Sequence, residues 1–283
     1  MLWMGGMPCC CCWSPFRFFE PEDAVRATSS RFLSRCCFIS YKMFLTTYFV
    51  FWTIYWPTED NVDDAYLYVT YWTFYITAIY FFLSAITACM VKAQECNPKV
   101  AVGPVRGTDG TDGGLALSSC ARFLLGFQIF TWNVANIGSI IVVVVFWTSL
   151  YDGDPLTSTD INAHALIAAI MVLDQMLVAT KFERRQMRAA FAYGATYITW
   201  NIVWFLVGTE SEKVIYSPMD WGEDVEGAII FAVVIVFILV PVCGLIHYSV
   251  YRLREYIFAS CGKSKSSLPN DVESGKVVVL GTS

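Results

Sequence analysis

Residues 227–251, GAIIFAVVIVFILVPVCGLIHYSVY, form an apolar run without a single Lys, Arg, Asp or Glu. A transmembrane helix needs about 20 consecutive apolar residues to cross the hydrocarbon core of a bilayer. This run is therefore long and apolar enough to be a membrane span. Five segments of similar character precede it, and we predict six spans in all, at residues 36–56, 66–91, 123–151, 161–180, 190–208 and 227–251.

The composition of the whole chain agrees with this prediction. Of 283 residues, 56% are hydrophobic and only 15% are charged, whereas soluble domains average about 25% charged residues. A soluble or disordered chain is therefore excluded. The net charge of −5 and the absence of zinc-finger and P-loop spacings argue against a nucleic-acid partner. We expect an all-α polytopic membrane protein whose partners are membrane lipids.

The charged residues predict how the spans are oriented. Lys and Arg are concentrated in the two tails and in loops 92–122 and 181–189, whereas acidic residues dominate loops 57–65, 152–160 and 209–226. The positive-inside rule then places both termini in the cytoplasm and the acidic loops on the exterior or lumenal side. We predict a cytoplasmic cysteine-rich tail, a six-helix transmembrane domain and a disordered cytoplasmic tail, at residues 1–35, 36–251 and 252–283. Plasma membrane and endoplasmic reticulum are both compatible with this pattern.

The cysteines cluster near the predicted cytoplasmic side. Thiols there stay reduced, and no Cys-x-x-Cys pair with zinc spacing occurs, so we expect neither a metal site nor a cofactor. Cysteines next to a membrane are typical S-palmitoylation sites, although reduced thiols without a role fit equally well. The candidate acylation sites are Cys9, Cys10, Cys11, Cys12, Cys36 and Cys37.

Several polar residues fall inside the predicted spans, where their burial in hydrocarbon is costly. Asn133 and Asn136 are three residues apart, which suits hydrogen bonds between helices, and Asn201 lies in the fifth span. Lys42 is close enough to the predicted inner end of its helix to snorkel to the interface.

Asp174 is the acidic residue deepest in the predicted fourth span. It is either neutral or paired with a cation such as Lys42 or the Arg184–Arg185 cluster. A structural hydrogen-bonding role and a proton-relay role are both open from the sequence.

Thr70 and His164 are predicted at matching depth. Thr70 is four residues into the second span and His164 three residues into the fourth, which is about 5–6 Å below the same membrane face at ~1.5 Å per residue. A neutral histidine can take a proton from a threonine hydroxyl, as a covalent acyl-transfer nucleophile requires. Asp160, one helical turn before His164, is a candidate orienting acid. A packing threonine and a capped histidine form the structural alternative.

A developing oxyanion at such a site needs hydrogen-bond donors. Backbone amides inside a helix are already hydrogen-bonded, so side chains have to supply them. We expect the donors among Tyr71, Trp72, Asn133 and Asn201.

Short motifs follow one another along the chain. They read YVTYW at 68–72, INAH at 161–164 followed by VLD at 172–174, YSPMDW at 216–221 and YRLR at 251–254. In order and spacing they resemble the rolling stone family, whose first motif reads YLTNW and whose tyrosine–proline–x–x–aspartate–tryptophan motif lacks the inserted Ser217. The resemblance covers about residues 66–258.

The rolling stone family resembles, more distantly, the androgen-induced/FAR-17a family of six-span hydrolases. Those enzymes use a membrane threonine and histidine to cleave fatty-acid esters of hydroxy fatty acids. The resemblance places Thr70 at the nucleophile position and His164 at the base position, and it implies hydrolysis of a lipid ester at the outer or lumenal leaflet. Rolling stone proteins are associated with myoblast fusion, so a non-enzymatic protein of cell adhesion or cell–cell fusion is the alternative. A transporter ranks third, because no inverted repeat is visible.

Overall fold

The computed structural model describes residues 26–59, 67–96, 119–151, 153, 155–183, 186–208 and 214–262. In these ranges the regular secondary structure is helical, apart from an isolated bridge between Ser30 and Val178. Within these ranges six helices are long and apolar enough to cross a membrane. The all-α fold class is confirmed, and so is the presence of six helices of membrane-spanning length.

Three of the six helices are α-helical throughout: α1 (Arg35–Glu59), α2 (Val69–Cys96) and α5 (Met187–Val207). Each of the other three contains a π-helical turn, in which the backbone hydrogen bonds shift by one residue. These are α3 (Ser119–Val145, then the π turn Phe146–Leu150), α4 (Ser158–Ile161, the π turn Asn162–Leu166, Ile167–Leu177) and α6 (Val225–Val234, the π turn Ile235–Leu239, Val240–Gly262). The last helix thus extends to Gly262, beyond the predicted boundary at 251.

Helices α2 and α3 form the centre of the bundle. They pack along each other, α1 packs on α2, and α3 also contacts α4, α5 and α6. The spans of α2 and α3 are 61% and 67% buried, whereas no other span exceeds 28%. The four outer helices therefore present most of their apolar side chains to the surroundings, as expected for helices that face lipid.

Aromatic side chains fill the contact between α1 and α2. The ring of Phe49 stacks on Phe81 at 5.3 Å between centroids and meets Phe74 at 4.9 Å. Trp56 packs on Tyr71 at 4.3 Å near the start of α2. All five side chains are buried, so this contact is held mainly by ring packing.

The connections and tertiary contacts define two ends of the bundle. At the acidic end α1, α3 and α5 finish and α2, α4 and α6 begin, and there Trp147 Nε1 donates to the backbone oxygen of His164 at 3.0 Å. The basic end is the opposite one. Residues 26–34 lie across it, since Gln128 donates to the backbone oxygen of Ala27 at 3.0 Å. The folded body thus begins before the predicted residue 36.

Arg254 closes the end of α4 at the basic end. Its side chain is fully buried and donates to the backbone oxygens of Gln175 at 3.1 Å and Thr180 at 2.9 Å. The last carbonyl groups of a helix have no partner within the helix. A buried guanidinium supplies the missing donors and ties α6 to the end of α4.

Lys42 does not snorkel. Its side chain is fully buried, and its ammonium group pairs with the carboxylate of Asp174, which is also fully buried. Lys42 donates to the hydroxyl of Tyr80 at 2.7 Å, and Tyr80 donates to the second oxygen of Asp174 at 2.6 Å. The interface position predicted for Lys42 was wrong, because an internal carboxylate draws the ammonium group into the bundle.

Candidate functional site at the acidic end

Thr70 and His164 lie at about the same level of the bundle. The bond between Tyr80 and Asp174 joins α2 to α4, and both helices run from the acidic end to the basic end. Thr70 precedes Tyr80 by as many residues as His164 precedes Asp174. At about 1.5 Å per residue, each lies about 15 Å from that bond, towards the acidic end.

The two helices also touch at this level. The π turn Asn162–Leu166 packs against α2, and Ala163, next to His164, belongs to the same buried apolar cluster as Tyr71, next to Thr70. Thr70 and His164 are therefore each adjacent in sequence to a residue at the contact between α2 and α4.

Thr70 is the second residue of α2 rather than a residue well inside a span. Its side chain is buried, and the hydroxyl of Tyr216 lies close to it. Tyr216 comes from the connection between α5 and α6 and accepts a hydrogen bond from the backbone N–H of Val69 at 3.2 Å. Thr70 thus lies next to the Tyr216 hydroxyl at the start of α2.

Two tyrosines of α5 extend this hydroxyl cluster. Tyr197 donates to the backbone oxygen of Leu67 at 2.8 Å, and the hydroxyls of Tyr193 and Thr73 are 2.9 Å apart. Sequence reasoning missed Tyr216 as a neighbour of Thr70, and it missed the two α5 tyrosines, whose hydroxyls bond to groups other than Thr70. The signal was present on α5, where Tyr193, Tyr197 and Asn201 follow one another every fourth residue and so share one helix face.

His164 lies in the π turn of α4. Its ring stacks on Phe146, in the π turn of α3, with 3.6 Å between centroids and 2° between the planes. The Nδ1 atom is buried and has no hydrogen-bond partner. Buried polar atoms are nearly always hydrogen-bonded, and π turns occur frequently at functional positions. His164 therefore has an unused polar atom inside the bundle.

The structure contains no hydrogen bond between Thr70 and His164, both of which lie in its described part. Thr70 faces Tyr216, whereas His164 faces Phe146. Asp160 is engaged in the cap of α4: its carboxylate accepts hydrogen bonds from the backbone N–H of Thr157 at 3.0 Å and from its hydroxyl at 2.8 Å. No hydrogen bond joins Asp160 to His164 within the described residues, so the orienting role of Asp160 stays a prediction.

The three asparagines form hydrogen bonds with groups other than Thr70. The amide nitrogens of Asn133 and Asn136 donate back to their own helix, to the backbone oxygens of Ile129 and Trp132, and not to a neighbouring helix as the sequence predicted. Asn201 accepts from Trp221 Nε1 at 2.6 Å. It thereby anchors the connection between α5 and α6.

The predicted aromatic donors have ring contacts of their own. Tyr71 packs on Trp56, and the ring of Trp72 meets Tyr197 at 5.5 Å and Trp200 at 6.0 Å. Both predicted aromatic donors are therefore held in ring packing at the start of α2.

Asp174 and the cysteines account for the remaining predictions. Of the cations considered for Asp174, the partner is Lys42, while Arg184 and Arg185 lie outside the described residues. Cys36 and Cys37 are free and exposed. The other predicted acylation sites, Cys9, Cys10, Cys11 and Cys12, lie outside the described residues. No group of three or more His, Cys, Asp or Glu side chains that could hold a metal ion occurs within the described ranges.

The described part of the chain thus belongs to the class of helical proteins with six helices of membrane-spanning length. Comparison with family models, with curated proteins and with solved structures finds no match for the chain.

Proposed function

We propose that this protein is a membrane-embedded hydrolase of the rolling stone type, with Thr70 as nucleophile, His164 as general base and a lipid ester as substrate. The observation that carries the proposal is the placement of two polar groups at one level of the bundle, the buried Thr70 side chain and the unpartnered Nδ1 of His164. Catalytic hydrogen bonds are often long or absent without substrate and form in the complex. We therefore expect the hydrogen bond between Thr70 and His164 to form when the substrate is bound.

The reaction has two halves. Thr70 Oγ1 attacks the ester carbonyl carbon, its proton passes to His164, and the carbonyl π electrons move onto oxygen. When the carbonyl re-forms, the C–O bond to the alcohol breaks, and the departing alkoxide takes the proton from His164. Water then attacks the acyl-threonine, gives its proton to His164, and the fatty acid leaves as the threonine hydroxyl is restored.

The proposal includes an orientation. Both termini face the cytoplasm, so the acidic end, with Thr70 and His164, faces the exterior or the lumen, in the plasma membrane or the endoplasmic reticulum. The substrate enters from the outer or lumenal leaflet. Acylation of Cys36 and Cys37, together with Cys9–Cys12, would pin the N-terminal tail to the opposite leaflet. Exposure of Cys36 and Cys37 supports this part.

The test is covalent labelling of the full chain in membranes with a fluorophosphonate probe, followed by mapping of the labelled residue. We expect label on Thr70. Thr70→Ala and His164→Ala should each lower the labelling rate by more than about 10³-fold, as loss of a nucleophile or its base does. Thr70→Ser should keep measurable labelling, because the hydroxyl survives.

The matched control is Thr73→Ala, one helical turn further along α2. Its hydroxyl bonds to Tyr193 and to the backbone oxygen of Val69, and neither bond involves Thr70 or His164, so the variant should label like the parent. If the parent is not labelled and hydrolyses no member of a broad panel of lipid esters, the hydrolase proposal fails. The adhesion or fusion role then takes its place.

A further inference from the structure

The connection between α5 and α6 carries Tyr216, whose side chain packs against the start of α2. Its ring meets Tyr68 edge-on at 5.7 Å, its hydroxyl accepts from the backbone N–H of Val69 at 3.2 Å, and it lies close to the hydroxyls of Thr70 and Tyr197. This hydroxyl is a polar group next to the proposed nucleophile, and no role was predicted for it from the sequence.

The Tyr216 hydroxyl has a proton available for a further hydrogen bond. Its oxygen accepts the N–H of Val69, so its own O–H proton is free to point elsewhere. Tyr197 gives its proton to the backbone oxygen of Leu67. The Thr70 hydroxyl lies close to the Tyr216 oxygen. Rotation about the C–O bond of Tyr216 can therefore turn its proton towards Thr70.

Tyr216 is suited to donate a proton in a hydrogen bond and not to remove one. Burial raises the pKa of its phenol well above the ordinary value of 10.0, because a phenolate is poorly solvated there. The phenol therefore stays protonated at physiological pH. A base for Thr70 has to come from elsewhere, which agrees with the role proposed for His164.

Three backbone donors beside the nucleophile already have acceptors. The N–H groups of Tyr71 and Trp72 both donate to the backbone oxygen of Tyr68, at 3.1 and 3.3 Å. The N–H of Val69 donates to Tyr216. Because these first-turn groups are taken, the Tyr216 hydroxyl is the donor best placed to meet negative charge that develops beside Thr70.

The connection that carries Tyr216 is held in place on its other side. Trp221 donates to Asn201 of α5 at 2.6 Å, and the carboxylate of Asp220 accepts from the backbone N–H groups of Gly222 and Glu223 at 2.8 and 3.0 Å. A donor that stabilises a transition state must be fixed before the reaction begins. These contacts supply that rigidity.

The geometry points to Tyr216 as a catalytic residue: its hydroxyl donates to the oxyanion that forms on the lipid ester when Thr70 attacks. This inference rests on the proposed function. As Oγ1 bonds to the carbonyl carbon and its proton moves to His164, the carbonyl electron pair settles on oxygen. The Tyr216 O–H turns to that oxygen and keeps its own proton throughout, so no other reactant is needed.

The experiment measures fluorophosphonate labelling of Thr70 across a range of probe concentrations, in membranes, for the parent, Tyr216→Phe and Tyr193→Phe. Tyr216→Phe retains the ring and its contact with Tyr68. We expect its maximal labelling rate to fall about 100-fold, as on removal of one oxyanion donor, with the half-saturating probe concentration unchanged. Tyr193→Phe removes a hydroxyl of the same cluster that bonds to Thr73, and its rate should stay within about threefold of the parent.

Each outcome decides the question. If the parent is labelled and Tyr216→Phe labels within threefold of it, Tyr216 is not the donor, although the hydrolase proposal stands. If both tyrosine variants slow equally and unfold at a lower temperature, the role of Tyr216 is structural and the inference is overturned. If the parent itself is not labelled, the proposed function and the inference fall together.

Discussion

Lys42, Asp174 and Tyr80 bond to one another inside the bundle. The ammonium group pairs with one carboxylate oxygen, and the tyrosine hydroxyl accepts from Lys42 and donates to the other oxygen. All three side chains are buried. A proton relay needs a group that exchanges protons with water, whereas this triad lies away from the surface of the bundle. A structural role that joins α1, α2 and α4 is therefore favoured over the relay that the sequence left open.

This triad makes the first prediction. Lys42→Met leaves a buried carboxylate without its partner and should lower the free energy of unfolding by about 3–5 kcal/mol. Lys42→Met combined with Asp174→Leu removes both charges and should recover most of that loss. The measurement is denaturant unfolding of the detergent-solubilised chain, with Arg188→Met, exposed at the start of α5, as a control expected to change it by less than about 0.5 kcal/mol. A double variant as unstable as the single one would contradict the compensation.

For single residues, the sequence predicts the depth along the helix but not the side of the helix on which the side chain lies. The level of Thr70 and His164 follows from residue counts along two helices that run the same way, and the Tyr80–Asp174 bond agrees with it. The side on which each residue points depends on which neighbours pack beside its helix. That is why Lys42, read as an interface residue, turned out to be internal.

At the scale of elements, α2 and α3 approach each other closely at Gly138. A Cβ atom there would lie 3.2 Å from Thr73 Cγ2 and 3.3 Å from Thr73 Oγ1. Thr73 is fully buried and bonded to the backbone oxygen of Val69 and to Tyr193, so it has little room to move. Small residues at such contacts let membrane helices pack backbone to backbone.

Gly138→Ala should therefore destabilise the protein by about 1–3 kcal/mol through overpacking, despite the better helix propensity of alanine. Gly194→Ala is the matched control, because a Cβ atom there would meet only Val236 and Val240 at 3.7 and 3.9 Å. That variant should be neutral or stabilised by up to about 1 kcal/mol. Thermal unfolding in detergent compares the two. Equal melting temperatures for both variants would show that the α2–α3 contact is not tight at Gly138.

The sequence predicts that the six helices exist, but it does not predict their local geometry. Long apolar runs between charged loops predict six helices, because hydrocarbon leaves the backbone few alternatives. The π turns in α3 and α4 bring Phe146 against His164, and the apolar runs that predict these helices carry no sign of them. The same holds for Tyr216, which reaches Thr70 from a connection distant in the chain.

At the scale of the whole molecule, the two ends differ in charge and in contacts. The acidic end carries Thr70, His164 and Tyr216, and the basic end carries Arg254 and the docked segment 26–34. Positive residues are retained on the cytoplasmic side during insertion. The leaflet that can supply substrate to Thr70 therefore follows from the orientation of the chain as a whole.

Orientation is tested with glycosylation acceptors and protease sites inserted one at a time into the full chain. Insertions within 152–160 or 210–226 should be glycosylated or cut from the exterior or lumenal side, because these loops carry acidic residues and almost no Lys or Arg. Insertions within 103–114 or after Gly262 should react only once the membrane is opened, because Lys and Arg border both regions. Glycosylation within 103–114 would invert the bundle. Thr70 and His164 would then face the cytoplasmic leaflet, and the substrate would have to be a lipid ester of that leaflet instead.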